Sequence, residues 1–286
     1  MNAIHVPNVQ SRQRTRNVTR IAAWWLAITV SMVSGFTPSP VAAQASQLTP
    51  LGATLASCDD CSYEVSLTSV FPTGVRFGGS VYTSIWVGTN GYVTFGHSNR
   101  SYSPLGIAGY TLGPIVAGQF DDIDPNKGGT LYYNQNAAEE YVAATFSGVA
   151  PYSTPTEAGS GANSFQIVLR PVATDPQDFQ IELRYIDMNW AGSGNVRAWP
   201  TAGWSTGDGN TYGEVEVSGQ ATFLSAESGS NVGETGIYRW NVEGGVVQST
   251  PTVTATASVT SIAASSAQSG GTVGADGGSP GRHRTP

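Results

Sequence analysis

The fold class this sequence predicts is all-β, an antiparallel β-sandwich with short loops and a disordered C-terminal tail. Three observations point to it. The stretch SVYTSIWVGTNGYVTFG, residues 80–96, places Asn90 and Gly91 between two runs of β-branched and aromatic residues. Asn tolerates positive φ and Gly adopts it freely, so the pair reads as a two-residue hairpin turn. The stretch DFQIELRYIDM alternates strictly, with Phe179, Ile181, Leu183 and Tyr185 on one face and Gln180, Glu182 and Arg184 on the other. One face should pack and the other should meet solvent. Composition agrees: only 12% of the 286 residues are charged and 35 are Gly, as many short strands joined by tight turns require.

Taken in order, residues 1–20 carry Arg12, Arg14, Arg16 and Arg20 without an acid, and the apolar IAAWWLAITVSMVSGF follows. With the small residues of VAAQA behind it, this reads as a signal peptide over 1–45, cleaved after Ala43 or Ala45. The rival reading, a permanent membrane anchor, is disfavoured by the polar, Pro-containing last third. Residues 46–62 read as a linker holding Cys58 and Cys61, the only two cysteines. Beyond a signal they meet an oxidising compartment, and a local disulfide is the leading reading. Zinc would need two more ligands that no nearby His supplies.

A single β domain is expected over 63–247. Its strands are predicted at 63–71, 82–89, 92–96, 114–120, 130–134, 140–147, 164–171, 178–187, 199–204, 212–218 and 236–242, with a weak helix near 221–227. In the hairpin, Thr89 opposite Tyr92 sets Val87 against Thr94 and Trp86 against Phe95. The turn signals TDPQD and STGDGN separate later strands. From 248 to 286 the chain is rich in Ser, Thr, Ala and Gly and has no aromatic residue. Such a tail buries too little to offset its ordering entropy.

Loss of the signal leaves nine basic residues against 20 acidic ones. The basic residues are scattered singly, so nucleic acid and anionic membrane surfaces are excluded as expected partners, and no membrane span is expected after signal removal. Catalytic signatures are thin. His97 is the lone histidine of the domain and reads as a turn residue, and no nucleophile elbow or zinc-binding helix is present. The carboxylate pairs Glu182 with Asp187 and Glu214 with Glu216 have the spacing of ordinary strand faces. The chain reads as a non-enzyme.

The order of four landmarks resembles the nidogen-like extracellular (NIDO) domain of nidogen, tectorin, mucin-type and many bacterial surface proteins. These are VYTSIWVGTNGYVTFG, then GPIVAGQFDDIDPNKGGTLYY, then NSFQIVLRP with DFQIELRYIDMNW, and finally AGWSTGDGNTYGEV leading to SNVGETGIYRWNV. The resemblance spans about residues 80–243 and suggests a secreted bacterial member. It implies an extracellular interaction module associated with cell-matrix adhesion, without catalysis, whose partner is an extracellular protein or glycan. The cysteine-rich modules that follow this domain in animal members are missing here.

Two candidate sites remain. Of the five tryptophans beyond the signal, Trp86 and Trp240 lie within alternating strands and should fill the core. Trp190 and Trp199 flank the loop AGSGNVRA and are the candidates for an exposed sugar-binding platform, which would make the domain a carbohydrate-binding module. In DDIDPNKGG, residues 121–129, Asp122, Asp124 and Asn126 alternate so that a turn could gather their oxygens around calcium. The competing reading is a plain turn of Asx type, because Lys127 stands where an EF-hand needs Gly and Tyr133 where it needs Glu.

Overall fold

The computed structural model describes residues 44–104, 106–158, 161–193 and 198–248, together with the strands 252–260 and 268–275. In chain order the strands are β1 (Ala53–Thr54), β2 (Ser62–Ser66), β3 (Val75–Phe77), β4 (Ser80–Tyr82), β5 (Ser84–Gly88), β6 (Tyr92–Phe95) and β7 (Ile115–Phe120). They continue with β8 (Thr130–Asn136), β9 (Tyr141–Val149), β10 (Pro155–Ala158), β11 (Asn163–Pro171), β12 (Phe179–Asp187) and β13 (Trp190–Ser193). Then come β14 (Thr201–Ser205), β15 (Tyr212–Glu214), a 3-10 turn at Phe223–Glu227, β16 (Ile237–Glu243) and β17 (Val246–Val247). A last pair, β18 (Thr252–Thr260) and β19 (Gln268–Ala275), forms a separate two-stranded sheet within the expected tail.

Two antiparallel sheets make the sandwich. One runs β1-β8-β9-β11-β12-β16-β17 and the other β15-β14-β7-β6-β5-β2. The predicted inner face of β12 is the middle of the core: Phe179, Ile181, Leu183 and Tyr185 are all fully buried. Phe95 of β6 meets Phe179 with ring centroids 6.3 Å apart, and Phe77 packs edge-on against both. Each such side chain contributes roughly 1.5–3 kcal/mol of burial free energy. Gly118 of β7 sets the sheet spacing, since a Cβ there would lie 2.6 Å from the ring of Phe165 on the facing β11. Tyr185 closes the gap by donating its hydroxyl to the Gly118 carbonyl at 2.7 Å.

The hairpin register departs from expectation. Gly88 pairs with Tyr92, Val87 with Val93, Trp86 with Thr94 and Ile85 with Phe95. Only Gly91 of the loop has positive φ, at 85°, so the connection is a three-residue loop with Gly in the left-handed position, not a two-residue turn. The slip by one residue moves Ile85 and Val87 into the core and leaves Trp86 half-buried on the other face. Trp240 likewise stays half-buried, packed against the core's margin.

A second correction concerns the outer face of the larger sheet. Glu182 and Arg184 do not meet solvent: Glu182 is fully buried and Arg184 only 9% exposed. The residues read as a linker cover them. Ser46 O accepts from Arg184 Nε and Nη2 at 3.1 and 2.8 Å, and Leu48 N donates to Gln166 Oε1 at 2.8 Å. Thr49 O accepts from the Tyr141 hydroxyl at 3.2 Å and Pro50 O from Asn134 Nδ2 at 2.7 Å. Residues 46–50 thus cross β12, β11, β9 and β8 in turn as a strap, and β1 then joins the sheet edge beside β8. Leu48 packs on Tyr141, Ala143 and Val168, a small apolar cluster on the outer face. The physical signal was there, since a sheet face carrying Tyr141, Ala143 and Val168 needs a cover.

Beneath the strap Glu182 is held by three guanidinium groups. Arg184 Nη1 lies 2.8 Å and Arg239 Nε 2.5 Å from its oxygens, with Arg170 at 3.8 Å. Glu234 in turn pairs with Arg239. Of the expected signal peptide, Gln44 and Ala45 are described and packed on this edge, Gln44 Nε2 donating to the Glu227 carbonyl at 2.8 Å. Residues 1–43 lie outside the described residues. No helix among the described residues is long and apolar enough to cross a membrane.

Candidate functional site

Asn90 organises one end of the sandwich. Buried at the hairpin tip, it donates from Nδ2 to Asp60 Oδ1 at 2.8 Å and accepts at Oδ1 from the Ile123 backbone at 2.9 Å. Its own carbonyl accepts from the Asp121 N–H at 3.3 Å. Gly91 beside it has no room for a side chain, because a Cβ would fall 1.7 Å from Gln119 O. One asparagine therefore clasps two acidic loops, the CDDC loop at 58–61 and the DDID loop at 121–124. Cys58 and Cys61 are disulfide-bonded with Cα atoms 5.7 Å apart. Cys61 and Thr89 further exchange backbone and hydroxyl hydrogen bonds at 2.9 and 3.0 Å.

The consequence is a convergence of carboxylates. Asp59, Asp60 and Asp122 each bring an oxygen to within 4.8 Å of the others. With Tyr102 and Tyr152 they line an open pocket of about 400 Å³. Both tyrosines are exposed, at 47% and 36%. Asp59 Oδ1 is shielded from solvent without a hydrogen-bond partner among the described residues. Burial, reinforced by the charges of Asp60 and Asp124, pushes the Asp59 carboxyl above its ordinary range. Such a mouth favours a cationic or hydroxyl-rich group.

The expected calcium trio is not gathered. Asp124 Oδ1 accepts from the Asn126 backbone at 2.9 Å and its Oδ2 lies 3.8 Å from Lys127 Nζ. Asn126 Oδ1 accepts from Ser57 at 3.0 Å. The loop is an Asx-type turn that brings its own cation, and Lys127 also sits 3.9 Å from the Tyr152 ring centre. Asp122 alone of the three joins a carboxylate cluster, with Asp59 and Asp60 as its companions. A sequence signal existed for that pair, two acids inside a cysteine loop too short to hide them. Tyr102 and Tyr152 carried none.

Asp121 has a different task. Fully buried, its carboxylate accepts from the backbone of Gly192 at 2.8 Å, Ser193 at 3.1 Å and Asp122 at 2.9 Å. It pins β13. Burial outweighs these donors and raises its pKa to about 6. Asn163 assists, bridging Gln119 Oε1 at 2.7 Å and the Trp190 carbonyl at 2.8 Å.

Neither candidate tryptophan forms a platform. Trp190 is 1% exposed, with its indole donating to the Val149 carbonyl at 3.0 Å. The polar network behind β13 draws it inward. Trp199 is half-buried against the core, and residues 194–197 between them lie outside the described residues. His97 contacts its own strand, Nδ1 lying 3.1 Å from Phe95 O. Glu182 is sequestered among arginines, and Glu214 accepts from Ser218 at 2.8 Å.

A strapped antiparallel sandwich with an acidic, tyrosine-flanked mouth defines the class, a β-sandwich module. Residues 133–244 match the model of the nidogen-like domain. No curated protein and no solved structure matches the chain. The matched span holds the last two of the four landmarks. The hairpin, the CDDC loop and the DDID loop all precede it, so most of the acidic mouth is built outside the matched span.

Proposed function

We propose that the chain is a secreted, non-enzymatic interaction module that adheres to extracellular surfaces through its acidic mouth. The observation that carries this reading is the pocket of about 400 Å³ lined by Asp59, Asp60, Asp122, Tyr102 and Tyr152. Asp59 and Asp60 are half-buried at an open pocket, whereas Glu182 is buried among the chain's own arginines. The nidogen-like domain supports an extracellular setting, and the Cys58–Cys61 bridge fits an oxidising one. The partner expected is an extracellular matrix protein presenting a basic side chain.

A carbohydrate ligand is the second reading. Two exposed tyrosines beside carboxylates supply the aromatic face and polar acceptors that grip a sugar ring, in place of the tryptophans. The deciding experiment screens the purified protein against immobilised matrix proteins and a glycan array. Saturable, salt-sensitive retention on matrix protein supports the module. Saturable sugar binding that depends on Tyr102 or Tyr152 replaces it with the second reading, and absence of binding to both overturns the two together.

A further inference from the structure

Asn90–Gly91 is the one Asn-Gly step in the chain, and its chemistry has a consequence for the clasp. At such a step the glycine nitrogen, unhindered by a side chain, attacks the asparagine Cγ. The C–N bond of the side-chain amide breaks, ammonia leaves, and a succinimide forms. Water then opens the ring to aspartate or isoaspartate, so that one water is consumed, one ammonia is released, and the chain gains about 1 Da.

In this fold both partners of that reaction are restrained. The Asn90 side chain is fully buried and stretched between Asp60 Oδ1 and the Ile123 N–H at 2.8 and 2.9 Å. Gly91 is wedged against Gln119 O. Ring closure requires the amide to leave both hydrogen bonds. Conversely, the product cannot be accommodated. An aspartate at 90 has no donor for Asp60 and adds a carboxylate beside Asp59, Asp60 and Asp122. Isoaspartate at 90 lengthens the backbone next to Gly91, where there is no room for a single Cβ.

We propose that Asn90 is a deamidation site held shut by its hydrogen bond to Asp60, so that the modification accumulates, irreversibly, with the time the CDDC loop spends open. The inference is independent of what the mouth binds. Loss of the clasp commits the end of the sandwich to an altered state, because the rebuilt side chain repels the loop it once held.

The test follows conversion at Asn90 by peptide mapping of the full secreted chain at pH 8 and 37 °C. Wild type, the same chain unfolded in guanidinium chloride, Asp60→Gly and Asp60→Asn are compared. Glycine removes the acceptor without backbone cost at a residue whose φ is 53°, and asparagine retains an acceptor oxygen. Conversion in native protein should be at least tenfold slower than in the unfolded chain. Asp60→Gly should accelerate it at least threefold while near-UV circular dichroism stays native, and Asp60→Asn should restore protection. Should Asp60→Gly not fold, wild type with Cys58 and Cys61 reduced and alkylated replaces it. Native conversion within twofold of the unfolded rate overturns the proposal, as does a folded, loosened loop that converts no faster than wild type.

Discussion

Glu182 and Asp122 are both carboxylates withdrawn from solvent, 0% and 3% exposed, but they keep different company. Around Glu182 the chain supplies Arg170, Arg184 and Arg239 from three adjacent strands, and a strap seals the group. Asp122 is gathered with two more carboxylates, while Lys127, the cation of its loop, is directed at Asp124 and Tyr152. The first cluster surrounds its carboxylate with the chain's own cations and serves the fold. The second lies beside an open pocket, where the proposed partner would meet the half-buried Asp59 and Asp60. The two clusters are thus told apart by where they lie, one sealed beneath the strap and one beside an open pocket.

The contrast can be broken by substitution. Glu182→Ala should be the most damaging change, about 3–5 kcal/mol in urea unfolding, because it leaves the nearly buried Arg184 without its carboxylate partner. A loss below 1 kcal/mol there would erase the distinction. Next is the pH dependence set by Asp121. Its folded pKa of about 6 lies above the unfolded value near 3.9, so the native state binds the proton more tightly. The associated stability is full below about pH 4 and is lost as pH rises through about 6, on the order of 2–3 kcal/mol in all. Asp121→Asn should flatten that part of the stability curve relative to wild type.

Smaller effects sharpen the comparison. Leu48→Ala, which thins the strap over Tyr141, Ala143 and Val168, should cost about 1–2 kcal/mol in the same unfolding assay. Opening the disulfide by Cys58→Ser should lower stability by about 2 kcal/mol or less and leave unfolding cooperative. Asn126→Ala should be the quietest: any shift in melting temperature between calcium and chelator should match wild type, because that side chain serves Ser57 and the turn.

Strict alternation made much of this legible. DFQIELRYIDM identified both faces of β12 and the four core residues, since period-two patterning maps directly onto a pleated strand. It could not reveal that a segment from elsewhere crosses the outer face, because a cover is a long-range fact written in Leu48 and Ser46, not in β12. The hairpin was read from Asn-Gly, but whether one or both loop residues take positive φ depends on the contacts of Asn90 with Asp60 and Ile123. Those contacts shifted the register by one. Trp190 showed the same limit: its loop setting suggested exposure, and burial followed from Asn163 and Asp121 pinning β13 inward. At the mouth, Asp122 was visible as part of an acidic run, while its companions Asp59 and Asp60 stood some sixty residues away by number. Only the hairpin clasp brings them together.

The central claim, that the open acidic mouth binds and the sealed cluster does not, is tested most directly by the double variant Asp59→Asn with Tyr102→Ala. Neither side chain belongs to the Asn90 clasp. Against the matrix protein retained by wild type, the variant should bind at least tenfold more weakly, with a melting temperature within about 3 °C of wild type. Undiminished binding by that folded variant would contradict the account and move the functional surface elsewhere on the sandwich.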